Sequence, residues 1–229
     1  MIYFISDVHL GILNRQLDIK REDMLLRLLD LISLKSEKIY LVGDIFDYWF
    51  DYKSVIPKYF YRTLAKLYDI KHNYCDIEFL MGNHDFGHFD FFENELNIPI
   101  HKSDIERIHH GKKFYISHGD GKNPNDKGYL ILKKVLRNPL SLWFYLKLHP
   151  NFGIGLASGS SKESRKYTEK KDYGEGDAMF EFAKLQIDSG FDYVVMGHHH
   201  KSSIQSYKSG KYVNIGEWIK NPQIVCFDS

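Results

Sequence analysis

Short apolar runs recur along this chain, and each is followed at once by a cluster of small, polar and ionisable residues. Ile2-Tyr3-Phe4-Ile5 leads into Ser6-Asp7-Val8-His9-Leu10-Gly11, and Lys38-Ile39-Tyr40-Leu41-Val42 leads into Gly43-Asp44-Ile45-Phe46-Asp47. The runs 77–81, 113–116 and 192–196 likewise deliver Gly82-Asn83-His84-Asp85, His118-Gly119-Asp120 and Gly197-His198-His199-His200. Apolar runs this short, bounded by glycine, predict buried strands. Between them the period lengthens. Met24, Leu25, Leu28, Leu31 and Ile32 recur at helical spacing and predict a helix over 21–35. A second helix, over 54–69, turns Val55, Tyr59, Phe60, Leu64 and Leu67 inward, and a third, over 174–189, does so with Ala178, Met179, Phe182, Leu185 and Gln186. The aromatic stretch 86–96 predicts a short helix, and 212–215 and 224–227 predict closing strands. Strand, helix and strand in succession predict βαβ crossovers and an α/β fold.

The alternation stops between 121 and 172. That stretch predicts two or three helical segments punctuated by Pro124, Pro139, Pro150 and glycines 153, 155 and 159. The expected organisation is one α/β domain, 1–120 with 173–229, interrupted by a helical insertion over 121–172. Gly153-Ile154-Gly155 predicts a turn joining helices, because a bare G-x-G is a poor phosphate-loop signal.

Charge sharpens this division. The net charge is +1, yet residues 127–171 hold ten Lys or Arg against two Glu, which leaves about −7 on the rest. The insertion is therefore expected to meet something negative. Its run 140–148 is apolar nearly all round, which fits either an ordinary contact with the domain below or a greasy chamber flanked by Lys133, Lys134, Arg137 and Lys147. Two cysteines, Cys75 and Cys226, make neither a disulfide framework nor a thiolate zinc cluster. With a strand at the very start, no room for a signal peptide and no apolar run near membrane-spanning length, the expected location is cytoplasmic.

The polar clusters carry the chemistry. Side chains of a strand alternate, so the D-x-H spacing of Asp7 and His9 turns both to one face. Five strand ends loaded with Asp, Asn and His make a metal site, and hard oxygens mixed with imidazole suit Mn, Fe or Zn. More ligands are present than one ion can use, so two are expected.

In this order D-x-H, G-D-x-x-D, G-N-H-D, H-G-D and G-H-x-H resemble the signature of the calcineurin-like metallophosphoesterases. The resemblance implies a two-sheet α/β sandwich flanked by helices, with the insertion as a helical lid, and two divalent metal ions, Mn(2+) foremost. Carried over by position, Asp7, His9, Asp44 and His200 hold one ion and Asp44, Asn83, His118 and His198 the other, with Asp44 as the bridge. His84 faces the reacting phosphate as cation or proton donor, and Asp85 orients its ring. Asp47 and Asp120 either support ligand histidines or act directly at the site, His199 points away, and histidines 72, 88, 101, 109, 110 and 149 are expected to be exposed.

The whole chain, with the run His149-Pro150-Asn151-Phe152-Gly153-Ile154-Gly155-Leu156-Ala157, further resembles the UDP-2,3-diacylglucosamine pyrophosphatases of lipid A biosynthesis. That likeness implies hydrolysis of a lipid-linked UDP-sugar to UMP and 2,3-diacylglucosamine 1-phosphate by a peripheral enzyme on the cytoplasmic face of the inner membrane. The anionic membrane surface is then a partner, with no nucleic acid and no obligatory protein partner. Substrate contacts map to Asn83, His84, Asp126, Ser161, Arg165, Thr168 and His198. Arg165 stands where Asn is usual, Thr168 where Lys is usual, and His84 where the better-known branch has Arg. The alternatives are a soluble-substrate phosphodiesterase or nuclease of the same superfamily and an inactive scaffold, which would have shed ligands that are all present here.

Overall fold

The computed structural model describes residues 1–124, 126–157, 159 and 175–228. Two five-stranded sheets face each other. The first runs β10-β1-β2-β3-β4, with β1 (Ile2–Ile5), β2 (Lys38–Val42), β3 (Asp76–Leu80) and β4 (Ile100–His101) parallel and β10 (Val225–Phe227) antiparallel to β1. The second runs β5-β6-β7-β9-β8, where β6 (Lys112–Ser117), β7 (Tyr193–Met196) and β9 (Gly210–Asn214) are parallel and β5 (Ile105–His109) and β8 (Ser203–Tyr207) are antiparallel edges.

The period of two in β1 sorts the layers. Ile2 and Phe4 enter the core between the sheets with Tyr40, Val42, Phe114, Ile116 and Val195. Tyr3 and Ile5 face the other way, against α1 (Arg15–Ser33) and α2 (Tyr61–Asn73), where Leu25, Leu29, Leu64 and Leu67 close an outer core with Ile39, Leu41 and Phe79. On the far side α7 (Glu175–Asp188) packs Met179, Ala183 and Ile187 onto Val194, Met196 and Tyr212. The central strands of each sheet are thus covered on both faces, which suits continuous apolar strands.

Several expectations shift. The stripe of α1 is Leu25, Leu29 and Ile32, while Met24 and Leu31 are exposed; in α7 Leu185 is exposed and Ala183 and Ile187 are inward. Where apolar residues crowd a helix, only the positions along one 3.6-residue stripe reach the sheet. Helix α1 also starts at Arg15, capped by Asn14, whose side chain accepts from Leu17 N at 3.1 Å. Its first turns escaped notice because their inward residues are Asp18, Arg21 and Glu22. Val55 is exposed and precedes a short 3₁₀ turn at Lys58–Phe60, so the second helix begins at Tyr61. Strands β4, β5 and β8 gave no apolar run, being two residues long or edge strands with one face in water. A four-residue helix, α3 (Phe91–Asn94), lies within the aromatic stretch.

The region 121–157 carries α4 (Lys127–Leu136), α5 (Pro139–Leu146) and a helix over 150–157, here α6. Gly153 and Gly155 lie inside α6 rather than in a turn. A β-carbon at Gly153 would collide with the Tyr52 hydroxyl, so glycine there admits a close approach of α6 to the core. His88 is buried against Trp49, Phe79 and Phe92, a correction to its expected exposure.

Candidate metal centre

Parallel pairing places the ends of β1, β2 and β3 at one edge, and β6 and β7 end beside them. The pairing continues past the strands: Asp7 N donates to Gly43 O at 3.1 Å, His9 N to Asp44 O at 2.9 Å and Gly197 N to His118 O at 2.9 Å. His198 N donates to Asp7 Oδ2 at 2.9 Å, which joins the first sheet to the second across the site.

The local backbone is unusual. Asp7, His9, Asp44, His198 and His200 all have φ between 50° and 67°. Non-glycine residues avoid this left-handed region at a cost of roughly 1–2 kcal/mol each, so such a concentration marks a functional site. The surrounding chain holds them there: Arg21, buried in α1, donates from Nη1 to Val8 O and His9 O at 3.0 Å each.

The side chains converge. His9 Nε2 lies 3.2 Å from His200 Nε2, and Asp7 Oδ1 lies 3.2 Å from His200 Nε2 and 3.8 Å from His9 Nε2. Asp44 Oδ2 is 3.8 Å from His9 Nε2 and 3.4 Å from His118 Nε2, which in turn is 3.0 Å from Asn83 Oδ1. Donor atoms around one cation at about 2.0–2.2 Å sit roughly 3 Å from one another, so these spacings suit shared ions. Three overlapping groups form: Asp7-His9-His200, His9-Asp44-His84 and Asp44-His118-His198. His9 and Asp44 each belong to two of them, so the groups adjoin.

Two further observations fit a cation. Asp7 Oδ1 is buried with no well-aligned hydrogen-bond donor, although Oδ2 is satisfied by Ser6 Oγ and His198 N. His118 Nδ1 lies 2.9 Å from Val42 O, and since a carbonyl only accepts, Nδ1 carries the proton and leaves the Nε2 lone pair for the site.

Electrostatics say the same. Burial alone would raise the carboxyl of Asp44, but His118, His84 and His9 hold it well below the usual carboxylate range. Burial would lower His118, yet Asp44, Asp7 and Asp120 push it up to about 10; His200 is likewise raised by Asp7 and Asp44 against its burial. The pocket attracts positive charge, and a divalent cation competes with these protons for the same lone pairs.

The His84 side chain is 10% exposed, with its ring 5.0 Å from that of His9 and its backbone N–H donating to Asp44 Oδ1 at 2.9 Å. The carboxylate near its ring is Asp47, 3.8 Å from Nδ1 and 3.5 Å from His9 Nδ1. Asp85 does something other than expected. Its oxygens accept from Gly82 N, Asp44 N, Ile45 N and Phe46 N at 2.8–3.3 Å, so it ties the Asn83 loop to the Asp44 loop rather than orienting an imidazole. Burial and the Asp44 carboxylate push its pKa up to about 7 against the pull of those amides. His199 lies over Gly176 at the start of α7.

Asp120 holds α4. Its Oδ2 accepts from the Tyr129 hydroxyl and pairs with Lys133 Nζ, both at 2.7 Å, and lies 3.4 Å from Arg137 Nη2. Arg137 Nη2 also donates to Gly82 O at 2.8 Å, next to Asn83. Tyr129, Lys133 and Arg137 are spaced i, i+4, i+8 and form one polar stripe along the helix. Helix α4 is therefore turned over: the polar stripe faces the core, and Ile131, Leu132, Val135 and Leu136 face water. On α5, Leu140, Trp143 and Phe144 are 62%, 52% and 60% exposed, while Tyr145 stacks on Phe50 at 4.1 Å. Of the expected substrate contacts, Asp126 caps α4 by accepting from Tyr129 N at 3.0 Å, whereas Ser161, Arg165 and Thr168 lie outside the described residues.

Among solved structures, an archaeal phosphodiesterase aligns at 14% identity and a TM-score of 0.43, covering 94% of this chain and 83% of that one. The curated relatives are closer. A UDP-2,3-diacylglucosamine hydrolase of Porphyromonas gingivalis is 33% identical over 99% of this chain and 94% of its own length. One of the same name from Pseudomonas fluorescens is 27% identical over 95% and 88%. The family model for calcineurin-like phosphoesterases matches residues 1–202. With that match spanning every ligand motif gathered at the sheet edge, the chain belongs to the calcineurin-like phosphoesterases and is a metal-dependent hydrolase.

Proposed function

We propose that the protein hydrolyses UDP-2,3-diacylglucosamine to UMP and 2,3-diacylglucosamine 1-phosphate, a step of lipid A biosynthesis. One observation carries the reading: the helices beside the metal centre present their apolar side chains outward, from Ile131 to Phe144, while Lys133 and Arg137 point at the site. A soluble substrate has no use for such a surface, whereas acyl chains gain about 0.8 kcal/mol per buried CH₂. The near-full-length likeness to relatives of that name supports it.

Asp7, His9, Asp44 and His200 hold one divalent cation, and Asp44, Asn83, His118 and His198 hold the other. As a pair of Mn(2+) ions they supply Lewis-acid polarisation of a phosphoryl group and a lowered pKa for water. His84, partly exposed and steadied by Asp47, donates to the phosphate as charge develops. Asp85 fixes the two loops that carry Asn83 and Asp44. Residues 121–172 form the lid over a core of 1–120 and 173–229, with Asp126, Ser161, Arg165 and Thr168 contacting the sugar phosphate alongside Asn83, His84 and His198.

No helix among the described residues is long and apolar enough to cross a membrane. In this reading the enzyme works as a peripheral protein on the cytoplasmic face of the inner membrane, held by the exposed apolar groups and by Lys134 and Lys147. The deciding assay is UMP release from the diacylated UDP-sugar by chelator-treated protein with Mn(2+) added back. Metal-dependent turnover is expected; turnover of a simple diester but not of this lipid would overturn the assignment.

A further inference from the structure

Next to the metal centre, between α4 and the loops after β4 and β6, lies a cavity of about 240 Å³ bordered by His118. It is lined by four cations, Lys102, Lys122, Lys133 and Arg137, against two carboxylates, Asp104 and Asp120. Lys133 and Arg137 are matched to Asp120, and Lys122 pairs with Asp104. Lys102, exposed and lining the cavity together with Ser103, has no partner among the described residues. Four positive charges against two negative ones leave an excess of two, which a phosphate monoester dianion neutralises, and Lys122, Lys133 and Arg137 are held in place by their carboxylates before it arrives.

We propose that this cavity is the subsite for the nucleotide half of the substrate, seating the phosphate monoester that becomes UMP. The inference rests on the hydrolase reading above and adds where the two halves lie. Hydrolysis of a diphosphate consumes one water and leaves each half as a phosphate monoester, so two anions need places. The acylated half requires apolar surface, and that lies on the outward faces of α4 and α5. Walls of lysine, arginine and aspartate suit the half without acyl chains.

The test uses calorimetric titration of the Mn(2+)-loaded full chain with UMP and, separately, with glucosamine 1-phosphate. Lys102→Glu lies outside the carboxylate and imidazole cluster, so its metal content should equal that of the wild type. We expect UMP to bind the wild type and to bind Lys102→Glu about tenfold more weakly, the size of one charge-assisted contact, with glucosamine 1-phosphate unaffected. Lys122→Met, which removes the ammonium that sits 4.5 Å from the centre of the Phe182 ring, should weaken UMP in the same sense. Equal UMP affinity in Lys102→Glu and wild type overturns the subsite, as does equal weakening of both ligands. If the lipid substrate is not turned over while UMP binding still depends on Lys102, the hydrolase reading fails and the nucleotide subsite stands.

Discussion

Asp7, with one carboxylate oxygen satisfied and the other left over, shows how single residues are specified here. Asp7 and His9 both lie beyond β1 with left-handed backbone, so the expected strand alternation does not set their directions, but the residue types that converge and their D-x-H and G-N-H-D spacings were legible in the sequence. The left-handed backbone at five ligands was not, since it depends on neighbours far along the chain. Glycines make room for it. A β-carbon at Gly43 would lie 2.5 Å from His118 Nδ1, one at Gly197 would lie 2.5 Å from Asp7 Oδ2, and one at Gly82 would fall on the Asp44 carboxylate. Gly82→Ala should therefore lose bound metal and activity together, measured by elemental analysis and turnover. His84→Ala should separate the two: kcat falls by roughly 10²–10⁴-fold while both metals stay bound. Loss of metal from that variant would make His84 a structural residue.

At the scale of elements, helix positions were foreseeable and helix faces were not. Periodicity locates an amphipathic segment, but which stripe turns inward depends on what lies beneath it. Beneath α1 lies the loop that carries His9, so its first turns bury Asp18, Arg21 and Glu22. Beneath α4 lies Asp120, held well below the usual carboxylate range by His118, Arg137 and Lys133 against its burial. Asp120→Ala should free α4, and amide exchange over 127–137 should rise at least tenfold with the sheets unchanged. The outward face makes a separate prediction. Trp143→Ser with Phe144→Ser should raise KM for the diacylated substrate and spare a small soluble diester, since both residues are half exposed or more and carry little fold stability. Equal loss of both activities would return α5 to an ordinary packing role.

The whole molecule is two sheets with one core between them and helices outside; the apolar runs separated by helical ones announced an α/β fold, and the division into two sheets came only with the family resemblance. Its aromatic outer core holds a polar group that patterning did not mark as buried. His88 has neither ring nitrogen satisfied, and burial, with Lys102 adding to it, lowers its pKa to about 3. The unfolded chain protonates this histidine below about 6.5 and the folded chain does not. Its contribution is therefore complete above that pH and is lost as pH falls from about 6.5 towards about 3, on the order of a few kcal/mol. His88→Phe should resist acid better than wild type, seen as a smaller drop in the urea midpoint between pH 7 and pH 4.5. An unchanged drop would mean that His88 finds water or a donor in the folded state.

The bond from His198 N to Asp7 Oδ2 spans 191 residues and has a consequence during synthesis. A ribosome that has released the first 120 residues has already delivered Asp7, His9, Asp44, Asn83 and His118, yet β7 and the two closing histidines are still to be translated. The nascent chain at that point carries a partial cluster that lacks His198 and His200. Two of the three groups, Asp7-His9-His200 and Asp44-His118-His198, are therefore completed only when β7 and the residues after it dock, once most of the chain has been made.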